Sequence, residues 1–143
     1  KHGDEPLAGT IYEGYLDYPG SSESLTFVHD GVSPVRVTLC WTDPPGIPSL
    51  GADSQAPRVI HDMDVRIIDV NGIIAQPYVL DPLHPDWLAT RGDNTLDNVE
   101  QIDVSPSLLH STFTVRISMK NTTMSKTLTR YGKMSARRVL LSP

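Results

Sequence analysis

Hydrophobic and polar residues alternate along several short stretches of this chain. The clearest is the stretch 35–41, in which four apolar residues alternate strictly with Arg36, Thr38 and Cys40. Successive side chains of a β-strand point to opposite faces, so this spacing predicts a half-buried strand. The same alternation runs through residues 112–119, where every second residue is apolar, and it predicts another such strand.

The stretch 59–72 is the one around which we expect the chain to be organised. Its pattern predicts a strand that ends in a hairpin at Asn71-Gly72, because these residues tolerate the positive φ angles of a two-residue turn. Alternation assigns two sets of side chains to opposite faces: Met63, Val65 and Ile67 toward a core, and Asp62, Asp64 and Arg66 away from it. The two aspartates then lie about 6–7 Å apart on one face. Their repulsion has to be offset by water, a cation or donors from a neighbouring strand.

The whole pattern predicts about eight short strands and at most one helical turn, at 107–110. The predicted strands are 10–16, 24–29, 35–41, 59–68, 73–80, 98–104, 112–119 and 138–141. The 12 prolines and 10 glycines suit the turns between them. We therefore predict an all-β fold, a jelly-roll β-sandwich of about eight antiparallel strands.

The length and the net charge of the chain limit the classes of protein to which it can belong. The 143 residues predict one domain at 10–143, preceded by an arm or linker at 1–9. A net charge of −5 argues against a nucleic-acid partner, which needs a basic face. No apolar run approaches the roughly 18 residues of a membrane span. The only cysteine, Cys40, excludes a disulfide within this chain. Because the chain opens at Lys1 without a signal peptide, we expect it to be a piece of a longer polypeptide.

Motifs for catalysis are absent from the sequence. There is no Gly-x-Ser-x-Gly elbow, no His-Glu-x-x-His helix and no phosphate loop. We therefore predict that this chain is not an enzyme by itself. An enzyme built on Asp62 and Asp64 as an acid/base pair is kept as a third hypothesis.

Oxygen-bearing side chains recur at three places along the chain. They are Asp43, the pair Asp62 and Asp64, and the run 93–100, which contains Asn98 and Glu100. If the strand of Asn98 and Glu100 lies beside the strand of the two aspartates, these oxygens converge. Carboxylate and amide oxygens are the ligands that calcium prefers. The alternative is a solvated acidic face in which Asp and Asn cap turns.

Trp87, in the loop 81–95, is a candidate binding surface for a sugar or a protein. The alternative is a loop anchor packed against the sandwich. A carbohydrate-binding or adhesive module with Trp87, Trp41 or Tyr78 in its site is therefore the second hypothesis for function.

Four motifs occur in an order that resembles a known family. They are Leu39-Cys40-Trp41-Thr42-Asp43-Pro44-Pro45-Gly46, His61-Asp62-Met63-Asp64-Val65 with Asn71-Gly72, Asp97-Asn98-Val99-Glu100, and Thr112-Phe113-Thr114-Val115-Arg116-Ile117. Together they resemble the C-terminal β-jelly-roll domain of subtilisin-like serine proteases, which is distantly similar to the P domain of proprotein convertases. The resemblance covers residues 35–119.

The resemblance implies a non-catalytic accessory domain of a secreted subtilisin-like protease. Its implied partners are the catalytic domain of the same polypeptide and, as a further candidate, the protein substrate. Such domains often bind calcium and aid stability or substrate engagement. Carried over to this sequence, the implied oxygen ligands are Asp43, Asp62, Asp64, Asn98 and Glu100.

Overall fold

Residues of this chain alternate between buried and exposed positions along short extended segments. A computed structural model of the chain describes residues 11–46, 48, 56–57, 59–120 and 136–137. The strands are β1 (Glu13–Gly14), β2 (Ser22–Val28), β3 (Val35–Cys40), β4 (Met63–Asp69), β5 (Gly72–Ala75), β6 (Tyr78–Val79), β7 (Thr90–Arg91), β8 (Val99–Val104), β9 (Thr112–Met119) and β10 (Ala136–Arg137). The one helical element in the described ranges is a 3-10 turn at Pro106–Leu108. The all-β prediction is therefore confirmed.

Four antiparallel strands form the larger sheet, in the order β2-β9-β4-β5. The central pair is β4 with β9, whose register sets Met63 opposite Met119 and Val65 opposite Ile117. Met63, Val65 and the later Ile67 are fully buried, so the inward face of β4 is the one that alternation predicts. The hairpin between β4 and β5 turns at Gly72, whose φ of 121° favours glycine.

The smaller sheet pairs β3 with β8, also antiparallel. Its inward residues join those of the larger sheet in one hydrophobic core. The buried members of this core are Leu16, Val35, Val37, Leu39, Trp41, Met63, Val65, Ile67, Ile102, Val104, Phe113, Val115, Ile117 and Met119. Two sheets that share one core form a sandwich, and its two layers meet where β4 approaches β8.

Two further strand pairs are only two residues long. They are β1 with β10 and β6 with β7. The predicted strand 73–80 is divided into β5 and β6 around the buried Pro77, which has no N–H to donate to a ladder. The predicted strand 10–16 is reduced to β1 in the described residues, and β7 was missed because it lies in a loop rich in turn residues. Four of the ten strands in the described residues, β1, β6, β7 and β10, are thus two residues long and either lie outside the predicted strands or are remnants of them.

Several predictions fall on residues outside the described ranges. They are the arm 1–9, the last strand 138–141 and most of the loop 44–58.

Candidate functional site

The site begins at an edge of β4 that none of the described strands covers. β5 pairs with β4 from Ile67 onward, so the backbone N–H of Val65 has no strand partner on that side. The carboxylate of Glu100 takes this position: Val65 N donates to Glu100 Oε2 over 2.6 Å. A side chain of the smaller sheet therefore closes the edge of the larger one, which satisfies a buried donor.

Glu100 is buried among core residues. It alternates with Ile102 and Val104 along the inward face of β8, and it pairs with Leu39 of β3. Glu100 is 1% exposed, and its second oxygen, Oε1, has no hydrogen-bond donor among the described residues. Burial, with a smaller contribution from the nearby charge of Asp64, raises the pKa of Glu100 to about 8 against the opposing bond from Val65. A buried carboxylate with a vacant oxygen needs a proton or a cation.

Two more carboxylates approach Glu100. Oxygens of Asp64, Asp93 and Glu100 all lie within 4.8 Å of one another. Burial raises the pKa of Asp64, and a hydrogen bond with Asp93 adds to this. The pKa of Asp93 is lowered, because its bonds with Lys120 and Asp64 outweigh the effect of burial. Asp93 is exposed, so the cluster opens to solvent on its side.

Two cations lie among these carboxylates. Arg66 Nη2 is 2.9 Å from Asp64 Oδ1 and 3.1 Å from Asp93 Oδ1. Lys120 Nζ is 2.9 Å from Asp62 Oδ2 and 2.6 Å from Asp93 Oδ1. The described residues therefore bring together four carboxylates and two cations, a group we call the carboxylate cluster (Asp62, Asp64, Arg66, Asp93, Glu100 and Lys120).

The carboxylate cluster fits a hard dication. With all four carboxylates ionised, its two cations leave two negative charges, which one divalent ion would neutralise. Asp62 Oδ1, like Glu100 Oε1, is buried and has no donor among the described residues. The donor set is entirely oxygen, which suits calcium rather than a thiolate- or imidazole-seeking metal.

The other two predicted ligands make hydrogen bonds outside the carboxylate cluster. Asp43 accepts bonds from the backbone N–H groups of Ile60 and His61, at 2.6 and 2.9 Å, and lies 3.0 Å from His61 Nδ1. Asn98 precedes β8, is exposed, and donates its amide to Trp41 O over 2.9 Å. These contacts tie the end of β3 to the chain before β4 and to the start of β8. Asp43 and Asn98 thus connect the segments next to the carboxylate cluster by hydrogen bonds.

Trp87 is exposed at 59% and stacks on His84, with ring centroids 3.9 Å apart.

A separate open groove of about 600 Å³ lies near β6 and β8. It is lined by Tyr78, Leu80, Ala89, Asn94, Asp97, Asn98, Val99, Gln101 and Asp103. Arg91 covers one side of the Tyr78 ring, 3.8 Å from its centroid. Trp41, by contrast, is buried in the core, so of the three aromatic candidates Tyr78 lines the groove and Trp87 is exposed beside His84.

Sequence reasoning missed three members of the carboxylate cluster. Asp93 stood in a run of acidic and amide residues, which was its only signal. Arg66 was assigned to the correct face of β4 but not to the site. Lys120 follows the last residue of β9, and only the pairing of Met63 with Met119 brings it to Asp62.

Neither the protein-family models nor the curated proteins with which the chain was compared give a match. In the described part of the chain, no helix has the length and apolar character needed to cross a membrane.

Proposed function

We propose that this chain is a non-catalytic accessory domain of a secreted subtilisin-like serine endopeptidase. In this proposal it stabilises the catalytic domain of the same polypeptide or helps that domain to engage a protein substrate, and calcium bound at the carboxylate cluster stabilises it. The second and third of the four motifs meet at one point of the fold, and this observation carries the proposal. Asp64 and Val65 come from one motif and Glu100 from the other, and Glu100 accepts the bond from Val65.

The placement of the other motifs supports the same proposal. The first motif follows β3 through Trp41 to Asp43, and the fourth forms most of β9 at the centre of the larger sheet. Each motif therefore contributes to the frame that holds the carboxylate cluster. Motifs that resemble a family in sequence and that share one structural neighbourhood are stronger support than the same motifs scattered over the surface.

Calcium would be held by oxygens of Asp64, Asp93 and Glu100, with Asp62 beside them. Its contribution is electrostatic: a divalent charge would neutralise carboxylates that burial has deprived of water. Because those carboxylates come from β4, β8 and the loop before β8, binding would tie the two sheets together. An ion that binds only the folded state stabilises that state by mass action.

The accessory role is tested with the parent polypeptide. The reading frame that precedes Lys1 is expected to encode the Asp, His and Ser motifs of a subtilisin-like protease. The protease is then prepared with and without this chain, and the half-life of its activity is measured at raised temperature. Loss of the chain is expected to shorten the half-life. The role would be contradicted by a reading frame that encodes no protease motifs. It would also be contradicted if removing the chain changed neither the half-life nor the cleavage of protein substrates.

A carbohydrate-binding or adhesive module is the second candidate, and the groove beside Tyr78 favours it. An aromatic ring among amide and carboxylate side chains suits a ligand rich in hydroxyl groups. The test is a screen of oligosaccharide binding by the native chain and by Tyr78→Ala, with Trp87→Ala as a matched variant outside the groove. Binding that Tyr78→Ala abolishes and Trp87→Ala preserves would favour this candidate, and absence of binding to any oligosaccharide would argue against it.

A further inference from the structure

The carboxylate cluster contains its own positive charge at the point where three carboxylates converge. Lys120 Nζ lies 2.6 Å from Asp93 Oδ1, 2.9 Å from Asp62 Oδ2 and 3.3 Å from Asp64 Oδ1. An ammonium group has three donors, so one donor is available for each of these carboxylates. Lys120 therefore occupies the kind of position that a bound cation takes.

The backbone fixes Lys120 at this position. Met119, the last residue of β9, pairs with Met63, and the N–H of Lys120 donates to Asp62 O over 2.8 Å. The side chain of Lys120 is 28% exposed, so it reaches the carboxylates from the solvent side rather than from the core. Its head group can consequently leave the cluster while the backbone pairing stays in place.

The lysine and a metal ion would use the same ligands. Asp64 and Asp93 belong both to the three carboxylates that could hold an ion and to the partners of Lys120. A divalent ion and an ammonium group held by the same two carboxylates repel each other more strongly than the two monovalent groups of Arg66 and Lys120 do, and the effect is strong where water is partly excluded. Simultaneous binding is therefore unfavourable.

Arg66 differs from Lys120 in how it is anchored. Arg66 Nη1 donates to the carbonyl of Val65 over 2.8 Å, in addition to its bonds with carboxylates. The described contacts of the Lys120 ammonium are all with carboxylates. A lysine head group on a flexible stem exchanges partners more readily than a guanidinium held at several points. Of the two cations, Lys120 is the one that can yield to an ion.

We propose that Lys120 and a divalent metal ion occupy the carboxylate cluster in turn, so that Lys120 sets the affinity of the chain for calcium. The inference rests on the proposed calcium site and assigns to it a built-in competitor. Calcium binding displaces the Lys120 head group into solvent. The site is consequently weaker for calcium than its four carboxylates alone would make it.

The test compares the native 143-residue chain with Lys120→Met and with Arg36→Met. Arg36 bonds Asp103 on the smaller sheet and is 57% exposed, so its loss changes the net charge equally without touching the cluster. Calcium affinity is measured by calorimetric titration. Lys120→Met is expected to bind calcium at least about tenfold more tightly than the native chain, whereas Arg36→Met is expected to stay within about twofold because exposed charge is screened.

The possible results separate this inference from the proposed function. Calcium binding by the native chain with unchanged or weaker binding by folded Lys120→Met would overturn the inference alone. Binding by Lys120→Met only would support the inference and contradict a calcium role in the native chain. No binding by any of the chains would contradict both.

A measurement on the native chain covers the case in which Lys120→Met does not fold. The side-chain NMR signals of Lys120 are followed through the titration with calcium chloride. The inference predicts that they move to the positions of a solvated lysine as the ion binds. Calcium binding that leaves these signals unmoved would overturn it.

Discussion

Asp43 and Glu100 are both carboxylates beside the strand β4, and their surroundings are opposite. Both oxygens of Asp43 receive donors, from the backbone of Ile60 and His61 and from the His61 ring. Glu100 receives one donor, from Val65, and its other oxygen has none among the described residues. The carboxylate of Asp43 is satisfied by the protein, whereas that of Glu100 is incomplete.

Counting acidic residues therefore does not locate an ion site. Asp43 and Glu100 were equivalent candidate calcium ligands on the sequence pattern and on the family resemblance. What distinguishes them is whether hydrogen-bond donors already stabilise both carboxylate oxygens, or whether burial has removed water from an oxygen without replacing it. Substitutions at Arg66, Glu100, Asp43 and Trp87 should reveal this difference, with effects that decrease in that order.

Removal of Arg66 is expected to have the largest effect on stability. Arg66 is 14% exposed and pairs with Asp64, so Arg66→Met removes one of the two counter-charges of the buried carboxylates and leaves only Lys120. The free energy of unfolding in urea should fall by about 3–5 kcal/mol with chelator present. The matched variant Arg36→Met removes an exposed pair and should cost less than about 1 kcal/mol. Equal losses of unfolding free energy in the two variants would show that the ion pairs of Arg66 contribute no more to stability than an exposed pair does.

Glu100 should make stability depend on pH. The folded chain keeps a proton on Glu100 up to about pH 8, whereas the unfolded chain loses it near the ordinary value of 4.5. Between these values the unfolded state binds fewer protons, so the free energy of unfolding falls as pH rises. The slope should reach at most about 1.4 kcal/mol per pH unit in the presence of chelator.

Glu100→Gln is the matched variant for this measurement. Its amide keeps an acceptor for Val65 but does not titrate, so the decline between pH 4.5 and about 8 should flatten. A native chain whose stability is constant over this range would contradict the raised pKa of Glu100.

Asp43→Ala should be moderately destabilising and leave calcium binding unchanged. The variant removes the acceptor for the two N–H groups of Ile60 and His61, which should cost about 1–3 kcal/mol in urea unfolding. Asp64→Asn, by contrast, should weaken the response to calcium. If Asp43→Ala abolishes the calcium response as fully as Asp64→Asn does, then Asp43 belongs to the site and the comparison fails.

Trp87→Ala should have the smallest effect. Trp87 is 59% exposed and its described ring contact is with His84 in the same loop. The free energy of unfolding in urea should change by no more than about 0.5 kcal/mol, as for most surface substitutions. A loss of several times that amount would mean that Trp87 anchors the loop to the sandwich.

The alternating pattern predicted the sheets more fully than it predicted the site. Met63, Val65 and Ile67 are buried as a strand of period two requires, and the hairpin turns at Gly72. Strand faces follow from local sequence, because each strand is amphipathic by itself. The division of 73–80 around Pro77 was also readable in principle, since proline interrupts a ladder.

The contacts of the site depend on which strands become neighbours. Lys120 reaches Asp62 only because β9 pairs with β4 in one register, and Asp93 arrives on a loop. Asn98 and Glu100 were both placed in the predicted strand 98–104, but the strand begins at Val99, and Asn98 donates its amide to Trp41 O. Pairing across 50 or more residues leaves no trace in local periodicity, which is why the position of Lys120 beside Asp62 could not be predicted.

The most direct test of the account is the melting temperature of the native chain as a function of free calcium, with Asp64→Asn alongside. If the carboxylate cluster binds calcium, the native midpoint rises with calcium and falls back with chelator. Free calcium at about 100 times the dissociation constant should add about 2.7 kcal/mol to the free energy of unfolding. The Asp64→Asn midpoint should respond far less. A native midpoint indifferent to both calcium and chelator would contradict the claim that the carboxylate cluster is a cation site.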